Sequence, residues 1–314
     1  DISNYNTYKI IFIIIFFGVS LLFSLKSSKV VDRVGAILTP ILLIVLALII
    51  FKGVFFPIGE SISLTKELPP FKYGFLNGYQ TMDTLAAIVF SDIILKSIRK
   101  DKNLSEKQEF SFLIQTSIIA IGGLAIVYGG LGFIGSTVTN ILPSGTGSVD
   151  LLTSIVKLLL GNFGKIILAI CVTGACITTA IGLTATVADY FSDLTKISYE
   201  KLAIITTIIS IIFAMFGVDI IIKLAVPVLV FLYPIAIALI FLNILKNKIK
   251  NDNIFLGTVI GAGIISSFEA LQAIGLKLSF LDSLFSNLPF DSLGLAWVCP
   301  AILTGIIFKF IPKK

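Results

Sequence analysis

Runs of uninterrupted apolar residues, each near the roughly twenty needed to cross a bilayer as a helix, recur nine times in this chain. They fall at about 8–25, 34–51, 72–97, 111–134, 165–190, 200–217, 220–244, 253–275 and 293–312. No other feature restricts the fold as much. In hydrocarbon the main chain must satisfy its own N–H and C=O groups, so only helices and closed barrels span a membrane. A barrel would show segments of about ten residues alternating in polarity; these runs do not alternate, so the spans are helices. Charged residues are 13% of the chain and apolar ones 56%, against about a quarter charged in a soluble domain. The expected fold is an all-α integral membrane protein, a polytopic bundle of nine spans. It forms a single transmembrane domain over 1–314, in contact with the lipid bilayer. The apolar stretch Val149–Leu160 is too short to span and is expected to lie at the interface or to re-enter.

The charges give the orientation. Sixteen of the 24 Lys and Arg, Arg33, Arg99, Lys196 and Lys246 among them, fall on one side of these spans and eight on the other. By the positive-inside rule the richer side is cytoplasmic, which puts the carboxyl end inside and, with nine spans, the amino end outside. The net charge of +6 is this topological signal and calls for no nucleic-acid partner. The chain begins at Asp1 with no signal peptide ahead of its first span. An outside start is therefore expected to reflect a processed chain, or one begun partway into a longer protein with an odd number of spans upstream. Cys171 and Cys176 share one apolar run and Cys299 lies in another, which fits packed thiols rather than disulfides or metal ligands. The chain has no histidine, so it cannot build a His-based zinc site or a His-activated nucleophile. No cofactor is expected.

One apolar run is interrupted by chemistry. Gly74-Phe75-Leu76-Asn77-Gly78-Tyr79-Gln80-Thr81-Met82-Asp83-Thr84 carries two glycines, two amides, two threonine hydroxyls, a phenol and a carboxylate inside a greasy span. Each polar group left unsatisfied in hydrocarbon costs several kcal/mol. The segment reads as a broken helix, with hydrogen bonding given up around Gly78 so that half-helix ends offer bare main-chain groups to a small polar solute. The blander reading makes Gly74 and Gly78 a close-packing face, with Asn77 and Gln80 bonding across helices. Asp83 has two readings: it suits the positive end of a second half-helix capped by Thr81, or it coordinates an ion. An intramembrane carboxylate is a functional candidate in either case.

A second polar group lies at Ala175, Thr178 and Thr179, which share one helix face at i, i+3 and i+4. One carbonyl and two hydroxyls make an uncharged, oxygen-only cluster suited to a hard monovalent cation that must bind and leave. The alternative is that both threonines bond back to the preceding turn. Gly130-Leu131-Gly132-Phe133-Ile134-Gly135 matches a dinucleotide fingerprint, but no strand precedes it; it reads as a glycine-rich packing face. Gly145-Thr146-Gly147-Ser148 reads as a loop. Glu269 is a lone carboxylate in the eighth span, placed by the sequence either in an outward vestibule or near the interface.

Three blocks carry a resemblance. Pro69 to Ala87, Ser28 to Pro40, and Thr178-Thr179-Ala180-Ile181-Gly182-Leu183-Thr184 resemble signatures of the bacterial branched-chain amino-acid:cation symporters, and the likeness runs over essentially the whole chain. The resemblance implies uptake of leucine, isoleucine and valine across the cytoplasmic membrane, with sodium as the coupling ion. It also implies the five-plus-five inverted-repeat fold of amino-acid transporters of the APC type. In those terms 8–51 holds the last two helices of the first repeat, 72–244 the second repeat, and 253–312 two terminal helices. About three spans of the family's twelve, with the other broken helix, are expected to precede Asp1. Gly74, Asn77, Gly78, Tyr79, Gln80, Thr81 and Met82 are then the substrate-binding candidates. Ala175, Thr178 and Thr179 become half of a sodium site, and Asp83 and Glu269 remain further candidates. A rival class is an intramembrane aspartyl protease, which would need Asp83 and Glu269 to face each other. Another is a carrier-derived channel or sensor, which sodium-driven counterflow separates from a carrier.

Overall fold

The computed structural model describes residues 2–25, 29–61, 69–101, 105–143, 145–249, 251–276 and 288–311. The described residues form helices and connecting turns, with no strand among them. In chain order the helices are α1 Ile2–Leu25, α2 Lys29–Phe55, α3 Pro70–Gly78, α4 Asp83–Asp101, α5 Glu106–Ser136, α6 Ser148–Thr195, α7 Tyr199–Phe216, α8 Val218–Ile244, α9 Asn253–Ala273 and α10 Val298–Lys309. Six stretches among the described residues are long and apolar enough to cross a membrane: one each in α1 and α5 to α9. The apolar parts of α2 and α10 are shorter, at Thr39–Phe55 and Val298–Lys309. The expected span at 72–97 is divided between α3 and α4. The predicted basic connectors include 26–28, 102–104 and 250, which lie outside the described residues, as do 62–68 and 277–287.

The surface explains why these helices need a bilayer. On α5, Phe110, Ile114, Ile118, Ile119, Ile121, Leu124 and Ile126 are all exposed. An apolar helix exposed all round finds its solvent in lipid, and the chain is a multi-pass membrane protein.

The chain divides into two compact units, Asp1–Ser63 with Ile93–Asp219, and Leu64–Asp92 with Ile220–Lys314. In the first unit, Val45 and Ile49 of α2, Ile134 of α5, and Ile155, Val156, Leu159 and Leu168 of α6 form the core. Gly130 lets α5 close on α2, since a Cβ there would lie 2.5 Å from Ile50. It is alone in this: at Gly122, Gly123, Gly129, Gly132 and Gly135 a Cβ would meet no described atom within 4 Å. The expected glycine-rich packing face reduces to that one residue. α6 is two helices joined at Gly161, whose φ of 69° and ψ of −166° belong to a region open essentially to glycine alone. The Ser148–Leu160 arm is thus the short helix expected at 149–160. At the far end, the Tyr199 hydroxyl donates to the Ser24 carbonyl (2.8 Å) and the Ser24 hydroxyl to the Ser20 carbonyl (2.9 Å), which ties α7 to α1.

The second unit is organised on the α9–α10 pair. A Cβ on Gly257 would press the Thr304 carbonyl and Phe308, one on Gly261 the Thr304 hydroxyl and the Pro300 carbonyl, and one on Gly305 the Thr258 hydroxyl. Small residues are what let membrane helices approach this closely. Ala262, Ile265, Ala296, Trp297 and Ala301 close that core, joined by Ala238 of α8. α8 continues through Pro227 and Pro234, as α2 does through Pro40.

Candidate functional site

The interruption lies where the polar segment is, but its form differs from the expected one. α3 runs through Gly78, which keeps right-handed helical angles (φ −57°, ψ −28°). A 3-10 turn at Tyr79–Thr81 follows, and Met82 reverses the chain in the left-handed region (φ 60°, ψ 8°). α4 then starts at Asp83, so the carboxylate sits in its first turn, where the dipole favours a negative charge. The point of departure is Met82 rather than Gly78. Nor does Thr81 cap α4: its hydroxyl donates back to the Gly78 carbonyl (2.8 Å). The Met82 carbonyl accepts the Ala86 N–H (2.9 Å) and so opens the new helix.

The amides are engaged locally. Asn77 Nδ2 donates to the Tyr73 carbonyl (2.8 Å) and Gln80 Nε2 to Asn77 Oδ1 (3.1 Å). The Tyr79 carbonyl accepts the Met82 N–H at 3.2 Å. The carbonyls ending α3 therefore already have donors, although each carbonyl oxygen keeps a second lone pair. Gly74, Asn77, Gly78, Gln80 and Thr81 are exposed, and a Cβ on Gly74 or Gly78 would meet no described atom within 4 Å. Close packing within the described chain is not what these two glycines do. The N–H groups of a helix's first turn have no intrahelical partner; in α4 these are those of Asp83, Thr84 and Leu85, the last two beside the Tyr233 hydroxyl.

Tyr79 is the one buried residue of this segment. It is 4% exposed and stacks on Tyr233 of α8, with ring centroids 4.5 Å apart and planes at 19°. Its hydroxyl lies alongside the Trp297 indole and within electrostatic reach of Glu269. The Tyr233 hydroxyl lies beside the first turn of α4, at Thr84 and Leu85. Among the described residues, four buried side-chain polar atoms have no hydrogen-bond partner: the hydroxyls of Tyr79 and Tyr233, Trp297 Nε1 and Glu269 Oε2. All four belong to this unit.

Next to them is a cavity of about 460 Å³, lined by Lys72 and Leu76 of α3, Val230 of α8, Ile265, Phe268, Glu269, Gln272 and Ala273 of α9, with Asp291 and Ala296 beyond. Lys72 Nζ donates to both oxygens of Asp291 at 2.9 Å. The 3-10 turn Asp291–Leu293 holds that carboxylate. The turn ends on Gly294, whose left-handed φ of 73° brings the backbone against Leu76 and Phe75. Glu269 therefore lines this cavity with Lys72 and Asp291 as its charged neighbours. The sequence missed Lys72, Asp291, Tyr233 and Trp297. Signals for two of them were there: Trp297 is the only tryptophan of the chain, and Asp291 the acid just ahead of the last apolar run.

In the other unit, the Thr178 and Thr179 hydroxyls donate to one carbonyl, that of Ala175, at 2.9 and 3.0 Å. Threonine back-bonding is thus realised, and it gathers three oxygens within one turn of α6. Ala175 and Thr179 also line a hollow whose other walls are largely apolar, Phe16, Leu42 and Leu168 among them. No group of three or more His, Cys, Asp or Glu side chains comes together among the described residues. All three cysteines are free, and Cys176 is exposed rather than packed.

Secondary transporters use discontinuous helices to present main-chain groups to solutes. Residues 2–314 match the branched-chain amino acid transport protein family. The chain belongs to this family. Among its relatives, the branched-chain amino acid permease BraB of Bacillus subtilis is 39% identical over 305 residues, covering 95% of this chain and 68% of that protein. The permease BrnQ of the same organism is 35% identical over 302 residues, covering 95% and 69%. The branched-chain amino acid transport system 2 carrier protein of Pseudomonas aeruginosa is 34% identical over 302 residues, again 95% and 69%. No solved structure matches the chain. The family's members are transport proteins and not enzymes, which sets aside the protease reading of Asp83 and Glu269.

Proposed function

We propose that this protein is a secondary active symporter that imports leucine, isoleucine and valine across the bacterial cytoplasmic membrane together with sodium. The observation that carries the proposal is the left-handed break at Met82, which exposes two half-helix ends in a member of a branched-chain amino acid transport family. The end of α3 offers carbonyl lone pairs to the substrate ammonium, and the first turn of α4 offers N–H groups to its carboxylate. Gly74, Asn77, Gly78, Tyr79, Gln80, Thr81 and Met82 shape that site. An aliphatic pocket separates side chains by only about 1–3 kcal/mol per methylene, so one carrier serves all three substrates.

The bundle is nine spans in an inverted-repeat arrangement, with 72–244 as the second repeat and the carboxyl end cytoplasmic. Sodium travels as cargo. The Ala175 carbonyl and the Thr178 and Thr179 hydroxyls supply part of its ligand set, because a hydroxyl that donates one bond keeps lone pairs for a hard cation. Their neutrality keeps the site weak enough to release the ion. In proteoliposomes holding the protein as its gene encodes it, an inward sodium gradient drives saturable leucine uptake and counterflow. Replacing Thr178→Ala and Thr179→Ala together raises the sodium concentration for half-maximal uptake at least about tenfold, one lost ligand being worth on the order of 1.5 kcal/mol. Unchanged sodium activation in that variant removes the site assignment, and gradient-independent flux removes symport.

A further inference from the structure

The cavity between α3, α8 and α9 has a charge order of its own. Asp291 holds Lys72 with both carboxylate oxygens, at 2.9 Å each. A lysine ammonium has three N–H donors, so Lys72 keeps donor capacity toward the cavity it lines. Glu269 lines the same cavity, and its Oε2 is buried without a partner. The apolar part of the cavity lining is Leu76, Val230, Ile265, Phe268 and Ala296. With Lys72 and Asp291 neutralising each other, the vestibule has one carboxylate in excess. A bare anion is selected against, and so is a purely apolar molecule, which would leave Glu269 Oε2 unsatisfied at the cost of its desolvation. The volume of about 460 Å³ falls within the range of small-molecule sites, which pair apolar walls with a few convergent polar groups.

We propose that this cavity is a second binding site for an aliphatic α-amino acid, distinct from the break, in which Glu269 takes the ammonium, Lys72 the carboxylate, and the Leu76–Val230–Ile265–Phe268 wall the side chain. The bound zwitterion completes an alternating row: Asp291 carboxylate, Lys72 ammonium, ligand carboxylate, ligand ammonium, Glu269 carboxylate. Lys72 and Leu76 stand on α3, the half-helix that leads into the break, so occupancy of the cavity bears on the element the break interrupts. The proposal rests on branched-chain amino acids being the substrate.

The test uses labelled L-leucine binding to the purified full protein, with isopentylamine and 4-methylpentanoate as competitors carrying one head group each. The unaltered protein is expected to show two leucine-binding components, and Glu269→Gln is expected to weaken one of them, with isopentylamine, at least about tenfold while leaving the other component and 4-methylpentanoate unchanged, because removing the charge of one member of a buried pair is costly. Lys72→Met is expected to weaken leucine and 4-methylpentanoate and to spare isopentylamine. On the unaltered protein, carbodiimide modification of Glu269, read by mass spectrometry, is slowed by leucine and isopentylamine but not by 4-methylpentanoate; this arm stands even if a variant fails to assemble. A single leucine-binding component on the unaltered protein, or two components that both stay within twofold in both variants, overturns the proposal. So does equal weakening of all three ligands, the signature of a purely structural role, or modification of Glu269 that no ligand slows. If leucine is transported normally while any of these occurs, the cavity assignment alone falls; if the unaltered protein neither binds nor carries leucine, the transport reading falls with it.

Discussion

Tyr79 and Met82 stand three positions apart and act in opposite ways. Tyr79 buries its ring against Tyr233, while Met82 is exposed and holds the chain in a left-handed turn. The ring's burial and not its hydroxyl is what stabilises, since the hydroxyl has no partner. Tyr79→Phe is therefore expected to leave the apparent melting temperature in detergent unchanged or higher, because an unsatisfied buried group costs about 1–3 kcal/mol. Tyr79→Ala forfeits about 3–5 kcal/mol of packing, as aromatic truncations in cores do, and lowers it. Equal losses in the two variants would show that the hydroxyl is engaged. At this scale the sequence was legible only in part. The density of polar groups at Asn77, Gln80 and Thr81 showed that the segment was special. Where their hydrogen bonds go was not legible, because a carbonyl three or four residues back is open to any such side chain on a helix. The pairing of Tyr79 with Tyr233, and of Lys72 with Asp291, depends on residues far apart in the chain, which a local pattern does not encode.

α3 and α4 are one apolar run in sequence and two helices in structure. The switch is a single residue, and a non-glycine side chain in the left-handed region costs about 1–2 kcal/mol. Met82→Gly relieves that cost and is expected to leave the apparent melting temperature in detergent unchanged or higher. Met82→Pro cannot adopt φ 60°, since proline fixes φ near −65°, and is expected to abolish uptake. Normal uptake by Met82→Pro would show that the break is dispensable. The segment's composition revealed the interruption, but Gly78 pointed to the wrong residue, because glycine marks conformational freedom without obliging the chain to use it. Gly161 is the converse case. Its left-handed φ divides α6 where the sequence placed only the end of a short apolar stretch.

At the scale of the molecule, the apolar runs showed a helical, multi-pass membrane protein, because hydrocarbon leaves the backbone so few solutions; of the nine expected spans, six are long and apolar enough to cross among the described residues. Short runs were harder: α10 is twelve residues long, where the sequence suggested a full span at 293–312. Orientation rests on charge and is open to a direct check. With Cys171, Cys176 and Cys299 replaced, Thr146→Cys before α6 is expected to react with a membrane-impermeant maleimide in intact cells. Ser198→Cys, after α6, reacts only once the membrane is permeabilised. Labelling of both from outside contradicts the proposed topology. The claim on which the account depends most is that a branched-chain amino acid is gripped by main-chain groups at the break between α3 and α4. Hydrogen–deuterium exchange on the protein in nanodiscs, with and without L-leucine in sodium, measures those groups themselves. The account predicts that leucine slows exchange at the amides of Asp83, Thr84 and Leu85; saturating leucine that leaves them unprotected while slowing exchange elsewhere would contradict it.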